Sequence, residues 1–151
     1  MSKKQSNDLT DADYEALANL RYTLRRFMDF SASAAQREGL PAQQHQALLA
    51  IKGHRGEEAM TVGLLAERLL IAPHSATELV GRLVAAGYAT RHTDPADRRR
   101  QTLGLTEQAE SLLKRLTTIH LTEIRDLAPR LRTILSSLEE GDGLQDDLWS
   151  E

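Results

Sequence analysis

The chain contains no cysteine, which excludes disulfides, thiolate metal sites and a thiol-based redox sensor. Aromatic residues make up only 4% of it, so its core has to come mainly from Leu, Ala, Val and Ile, of which the first two are strong helix formers. No run of eighteen apolar residues occurs, and no stretch reads as a membrane span. Behind Lys3 and Lys4 there is no apolar segment of the signal-peptide kind, so the expected compartment is the cytoplasm. Signatures of catalysis are missing too: there is no Gly-rich phosphate loop, no His-Glu-x-x-His pair and no Gly-x-Ser-x-Gly turn. The five histidines, His45, His54, His74, His92 and His120, include no pair at helical i, i+4 spacing. The expectation is a chain that is not an enzyme and carries no cofactor or metal.

At 151 residues the chain is long enough for one domain with a substantial core. Its net charge is −3, but the charge is unevenly spread. All six acids of the last sixteen residues lie between Glu139 and Glu151 with no base among them, and without them 19 bases face 16 acids. Between Arg68 and Leu103 six arginines face only Glu78, Asp94 and Asp97. A local basic surface says more about a polyanionic partner than the total charge does.

Local signals divide the chain cleanly. Thr10 is a good N-cap, Asp11 and Asp13 favour a first helical turn, and Leu17, Leu20, Leu24, Phe27 and Met28 recur at helical spacing up to Gly39. Pro41 suits the first position of a second helix that ends at Gly53. After the polar loop His54–Met60, Thr61 caps a short helix with Val62, Leu65, Ala66 and Leu69 on one face. A break at Leu70–Ala72 precedes a helix opened by Pro73 and ended by Gly87, and two short helices across a tight turn fit a helix-turn-helix. Residues Tyr88–Thr93 and Gln101–Leu105 read as strands flanking a turn at Asp94–Arg100. Thr106 caps a long helix expected to run to about Ala128, and Pro129 kinks or restarts it before Leu131, Ile134, Leu135 and Leu138.

The fold class predicted is mainly α with a small β-hairpin wing: a winged helix-turn-helix with long N- and C-terminal dimerisation helices. Within this single domain, residues 10–38 and 106–140 supply the dimerisation helices, 41–105 the DNA-binding lobe and 141–151 an acidic tail. Leu17, Leu20, Leu24, Leu131, Leu135 and Leu138 are more apolar positions than the terminal helices of one small domain need, which points to a homodimer.

In the second helix of the pair, Ala76, Val80, Leu83 and Val84 share a face assigned to the core. His74, Ser75, Glu78 and Arg82 lie away from it, with Thr77 at the border. Short polar groups near a helix N-terminus suit a major groove, although Ser75 and Thr77 can equally bond the local backbone. Arg91 on the first strand joins this set. The hairpin tip puts Arg98, Arg99 and Arg100 in a row after Asp97; adjacent guanidiniums repel, so an anionic partner rationalises them, and Asp97 can hold one of them.

These residues resemble the MarR/SlyA family of bacterial transcriptional regulators over about Thr10 to Leu138. The likeness is most specific in Asp94–Thr106, following Leu79–Arg91. It implies a regulator, in the main a repressor, that binds a pseudo-palindromic duplex operator as a homodimer and is released by a small aromatic or phenolic effector. It further implies Asp97 as orienting acid and Arg99 as the arginine that enters the minor groove, with Arg98 and Arg100 as flanking phosphate contacts. Two positions depart from the family pattern: Ala109 stands where a glycine is usual, and Ala72 where a serine caps the recognition helix. Two other readings stay open at this stage. One is a metal-responsive regulator if His45, His54 and His120 converge; the other is a winged helix that contacts only proteins.

Overall fold

A computed structural model describes residues 8–140 of the chain. In order, these form α1 (Asp11–Arg37), α2 (Ala42–Gly53), α3 (Val62–Leu69), α4 (Pro73–Ala85), β1 (Ala89–Thr93), β2 (Gln101–Leu105) and α5 (Glu107–Glu139). The expected acidic tail, 141–151, lies outside the described residues. The described residues fall into two compact units, one from Ser31 to His120, the other from residues 8–30 together with 121–140.

Three threonines set helix starts, each by the same local chemistry. The Thr10 hydroxyl accepts the Asp13 N–H at 3.2 Å while Asp13 Oδ2 accepts the Thr10 N–H at 2.8 Å, a reciprocal cap. Thr61 Oγ1 accepts from Leu64 N–H at 3.2 Å, and Thr106 Oγ1 accepts from Ala109 N–H at 3.2 Å. Pro41, expected inside α2, instead forms its extended N-cap at φ −57°, ψ 142°.

Of the two effects expected of Pro129, a restart does not occur: α5 runs through it to Glu139. The missing proline N–H orphans the Arg125 carbonyl, but Arg125 and Pro129 are both exposed, so water can take the lost bond.

The Ser31–His120 unit has one apolar core, in which Leu40, Leu48, Leu65, Leu79, Val80, Leu83 and Leu116 are at most 1% exposed. Val84, assigned to this core from sequence, is 38% exposed, and Leu79 takes its place. The hairpin pairs antiparallel with Ala89 opposite Leu105 and Thr93 opposite Gln101. A third short edge is added where Leu103 N–H donates to Met60 O at 2.8 Å and Thr61 bridges Thr102. β1 begins one residue later than the sequence suggested, because Tyr88 still belongs to the turn, its N–H donating to Leu83 O at 2.9 Å.

Between α3 and α4 the chain turns at Leu70, which adopts a left-handed conformation (φ 56°, ψ 43°). Ile71 N–H then returns to Ala66 O at 3.0 Å, closing α3 in the manner of a Schellman end. Ala72 is the N-cap of α4 and offers it no side-chain acceptor. Ala72→Ser supplies one, and chemical denaturation should show the variant more stable by about 1 kcal/mol; an unchanged or lowered midpoint would show that Pro73 alone sets this start.

Helices α1 and α5 leave apolar groups in water. In the single chain Leu17, Leu24, Met28 and Leu135 are each 45% exposed or more, and Leu20, Leu131 and Leu138 are half-buried. Among the described residues no helix is long and apolar enough to cross a membrane.

Candidate nucleic-acid interface

Burial of Ala76, Leu79, Val80 and Leu83 turns the opposite side of α4 outward. His74, Thr77, Glu78 and Arg82 are exposed there, and Ser75 is half-buried on the first turn. The Thr77 hydroxyl donates to Pro73 O at 3.1 Å, so of the two roles open to it the backbone bond is made in this state. Glu78 forms no ion pair among the described residues, whose ion pairs are Lys52–Glu110, Arg100–Glu58 and Arg115–Glu38.

Arg91 reaches α4 from the neighbouring strand. A Cβ placed on Gly81 would sit 3.3 Å from its Nη2, so the glycine leaves room for a guanidinium on the outer side of the helix. Arg82, on the same helix, is exposed as well.

The wing is closed by its own backbone and two aspartates. Asp94 N–H donates to Arg100 O at 2.9 Å, and Arg100 N–H to Asp97 O at 3.0 Å. Asp94 Oδ1 accepts Ala96 N–H at 2.9 Å, and Asp97 Oδ1 accepts Arg99 N–H at 3.0 Å. Both are side-chain turns that fix the loop locally. The guanidinium clamp expected of Asp97 is therefore corrected: its bond goes to the Arg99 main chain, and it forms no ion pair with an arginine among the described residues.

Of the three wing arginines, Arg98 and Arg99 are exposed and without a carboxylate partner among the described residues. Arg100 differs, with Nη2 2.7 Å from Glu58 Oε2. Glu58 lies 42 residues away in the loop before α3. No spacing rule links the two, and sequence reading left Glu58 as one more polar loop residue.

Of the histidines proposed to converge, two do. His45 on α2 and His120 on α5 are 3% and 8% exposed, with ring centroids 4.9 Å apart. The Leu116 carbonyl can only accept, so Nδ1 of His120 donates to it at 2.6 Å and Nε2 faces the Ser31 hydroxyl at 2.8 Å. His54 is engaged elsewhere, its Nε2 2.9 Å from Glu58 O. Among the described residues no three His, Cys, Asp or Glu gather as a metal site.

His45 Nδ1 is buried without a hydrogen-bond partner. Burial first, and the nearby His120 second, lower its pKa below the usual 6.5. The unfolded chain then binds the proton more readily than the folded one. The contribution of His45 to stability is therefore complete above pH 6.5 and declines as pH falls below it, by at most about 1.4 kcal/mol per pH unit. His45→Leu should flatten that part of the profile in thermal melts between pH 7.5 and 5. Parallel profiles for the two proteins would show that His45 takes up its proton equally easily in both states.

Comparison with known proteins bears on the fold. Residues 38–100 match the model of the MarR family. No curated protein matches the sequence. Among solved structures, AbsC, a MarR family transcriptional regulator from Streptomyces coelicolor, is similar with a TM-score of 0.70 and 21% identity, covering 88% of this chain and 93% of AbsC. MepR, a transcription regulator of the Staphylococcus aureus multidrug efflux pump MepA, gives 0.65 and 19%, covering 78% of this chain and 94% of MepR. A MepR mutant bound to an oligodeoxyribonucleotide gives 0.62 and 20%, covering 87% of this chain and 99% of the mutant.

Proposed function

Residues 38–100 form a MarR-family segment within a MarR-type winged-helix fold, and from this premise we propose that the chain is a sequence-specific duplex-DNA-binding transcriptional regulator, acting as a repressor that a small ligand releases. The observation that carries the reading is a set of four arginines on α4, β1 and the wing. Arg82, Arg91, Arg98 and Arg99 are all exposed, and none has a carboxylate partner among the described residues. Such cations suit phosphates and a narrow minor groove. His74, Ser75, Thr77 and Glu78 on the N-terminal half of α4 would face base edges and adjoining phosphates.

The regulator would work as a homodimer, since a second copy offers cover for the apolar groups on α1 and α5 and sets two copies of α4 about one helical turn apart on a pseudo-palindrome. That the similar MepR mutant is bound to an oligodeoxyribonucleotide supports the DNA reading. The effector belonging to this reading is a small aromatic or phenolic molecule. Within the Ser31–His120 unit, a groove of about 560 Å3 lined by Leu49, Lys52, Glu110, Leu113 and Lys114 is open to such a molecule. The compartment in this reading is the cytoplasm.

Selection of bound duplexes from a random pool, followed by binding across a salt series, tests the proposal. An enriched inverted repeat bound by a dimer, with affinity falling steeply in salt, is the expected outcome. Failure to retain any duplex at low salt would overturn it.

A further inference from the structure

The three wing arginines are chemically unequal. Arg98 and Arg99 lie in solvent, whereas the Arg100 side chain is only 36% exposed and donates to Glu58 at 2.7 Å. Both ends of this contact are anchored. Arg100 closes the wing through its own N–H and carbonyl, bonded to Asp97 O and Asp94 N–H. Glu58 lies in a loop held by His54 Nε2 at the Glu58 carbonyl and by Met60 O, which accepts Leu103 N–H from β2. The anchored backbones hold the two side chains within reach of one another, although the Glu58 side chain is itself 66% exposed. The hydrogen bond to Glu58 and the charge of that carboxylate, with smaller additions from Asp94 and Asp97, raise the pKa of the guanidinium.

We propose that Glu58 is a positioning residue for the wing: it ties Arg100 to the loop before α3 and keeps it from phosphate, so that the wing meets DNA with Arg98 and Arg99 alone. The proposal rests on the regulator reading for its consequence, and on the free protein for its geometry. A guanidinium already neutralised by a carboxylate displaces no counterion when DNA arrives. Arg100 therefore adds nothing to the salt dependence of binding, while each unpaired wing arginine at a phosphate adds roughly 0.9 to the magnitude of the negative slope of log K against log salt.

The experiment measures the salt slope for a mixed-sequence duplex with the full chain and four variants. Arg98→Ala should lower the magnitude of the slope by roughly 0.9, and Arg100→Ala should leave it unchanged. Glu58→Ala should raise it by roughly 0.9, and Arg100→Ala in that background should remove the gain. A slope that drops equally for Arg98→Ala and Arg100→Ala, or that ignores Glu58→Ala, overturns the proposal. A second arm needs no DNA: trypsin should cut after Arg100 several-fold faster in Glu58→Ala than in the wild type. Equal cutting overturns the tether. Absence of duplex binding by the wild type overturns the regulator reading instead, and the trypsin arm still decides the tether.

Discussion

Replacing Leu83 by alanine is expected to lower the unfolding free energy by about 2–5 kcal/mol, a large share of the stability of a small domain. Leu83 is fully buried and projects from the inner side of α4 into a core shared with Leu48, Leu65, Leu103 and Leu116. Truncation removes its apolar contacts and leaves a cavity, because helices fixed at both ends relax only partly. Val84→Ala on the same helix gives the contrast. Val84 is 38% exposed, so its loss should cost under about 1 kcal/mol. Urea denaturation of the two variants separates them. A Leu83→Ala loss no larger than that of Val84→Ala would mean that α4 is not held by this face. DNA binding by folded Leu83→Ala should stay near wild type at low temperature, since no proposed DNA-facing group has been removed.

The same two residues show where sequence reading stops. At 3.6 residues per turn, Leu79 lies about 60° to one side of Ala76 and Val84 about 80° to the other. Periodicity makes both plausible edges of the apolar stripe, and only the elements packed against α4 choose between them. Helix starts were legible because a cap is local: Thr10, Thr61 and Thr106 each need only a donor three residues on. The hairpin followed from alternation and turn residues, and its observed register runs from Ala89 opposite Leu105 to Thr93 opposite Gln101. A proline suggests a restart because it orphans a carbonyl, but where that carbonyl can meet water, as on the exposed stretch around Arg125, the helix can continue through it. At the wing, the residue types were legible and their pairing was not. Asp97 can hold a guanidinium or a main-chain N–H with equal chemistry, and the tight turn brings the Arg99 N–H within 3.0 Å. Glu58 left no trace in the sequence at all, since its partner is brought to it only by folding β2 against Met60.

Arg99→Ala should weaken binding to a selected operator by about 1–3 kcal/mol, roughly five- to 150-fold in Kd. The argument starts from the main chain. Asp97 Oδ1 holds the Arg99 N–H at 3.0 Å, and the Arg100 N–H bonds back to Asp97 O, so the backbone that carries Arg99 is set before DNA arrives. A side chain launched from a rigid turn loses less freedom on binding than one on a loose loop. With no carboxylate partner among the described residues, it has no intramolecular ion pair to break. If it enters a minor groove, its loss should cost most where that groove is narrow, so the operator preference at the flanks should relax. Arg98→Ala should instead weaken all duplexes alike and lower the magnitude of the salt slope by roughly 0.9. The role of Asp97 is separable by isosteric exchange. Asp97→Asn keeps the oxygen that accepts the Arg99 N–H and should retain most of the affinity, whereas Asp97→Ala removes it and should approach the loss seen for Arg99→Ala. Were the carboxylate charge needed to aim the guanidinium, Asp97→Asn would be as damaging as Asp97→Ala. Wild-type affinity and specificity in Arg99→Ala would remove this arginine from the interface and leave recognition to α4.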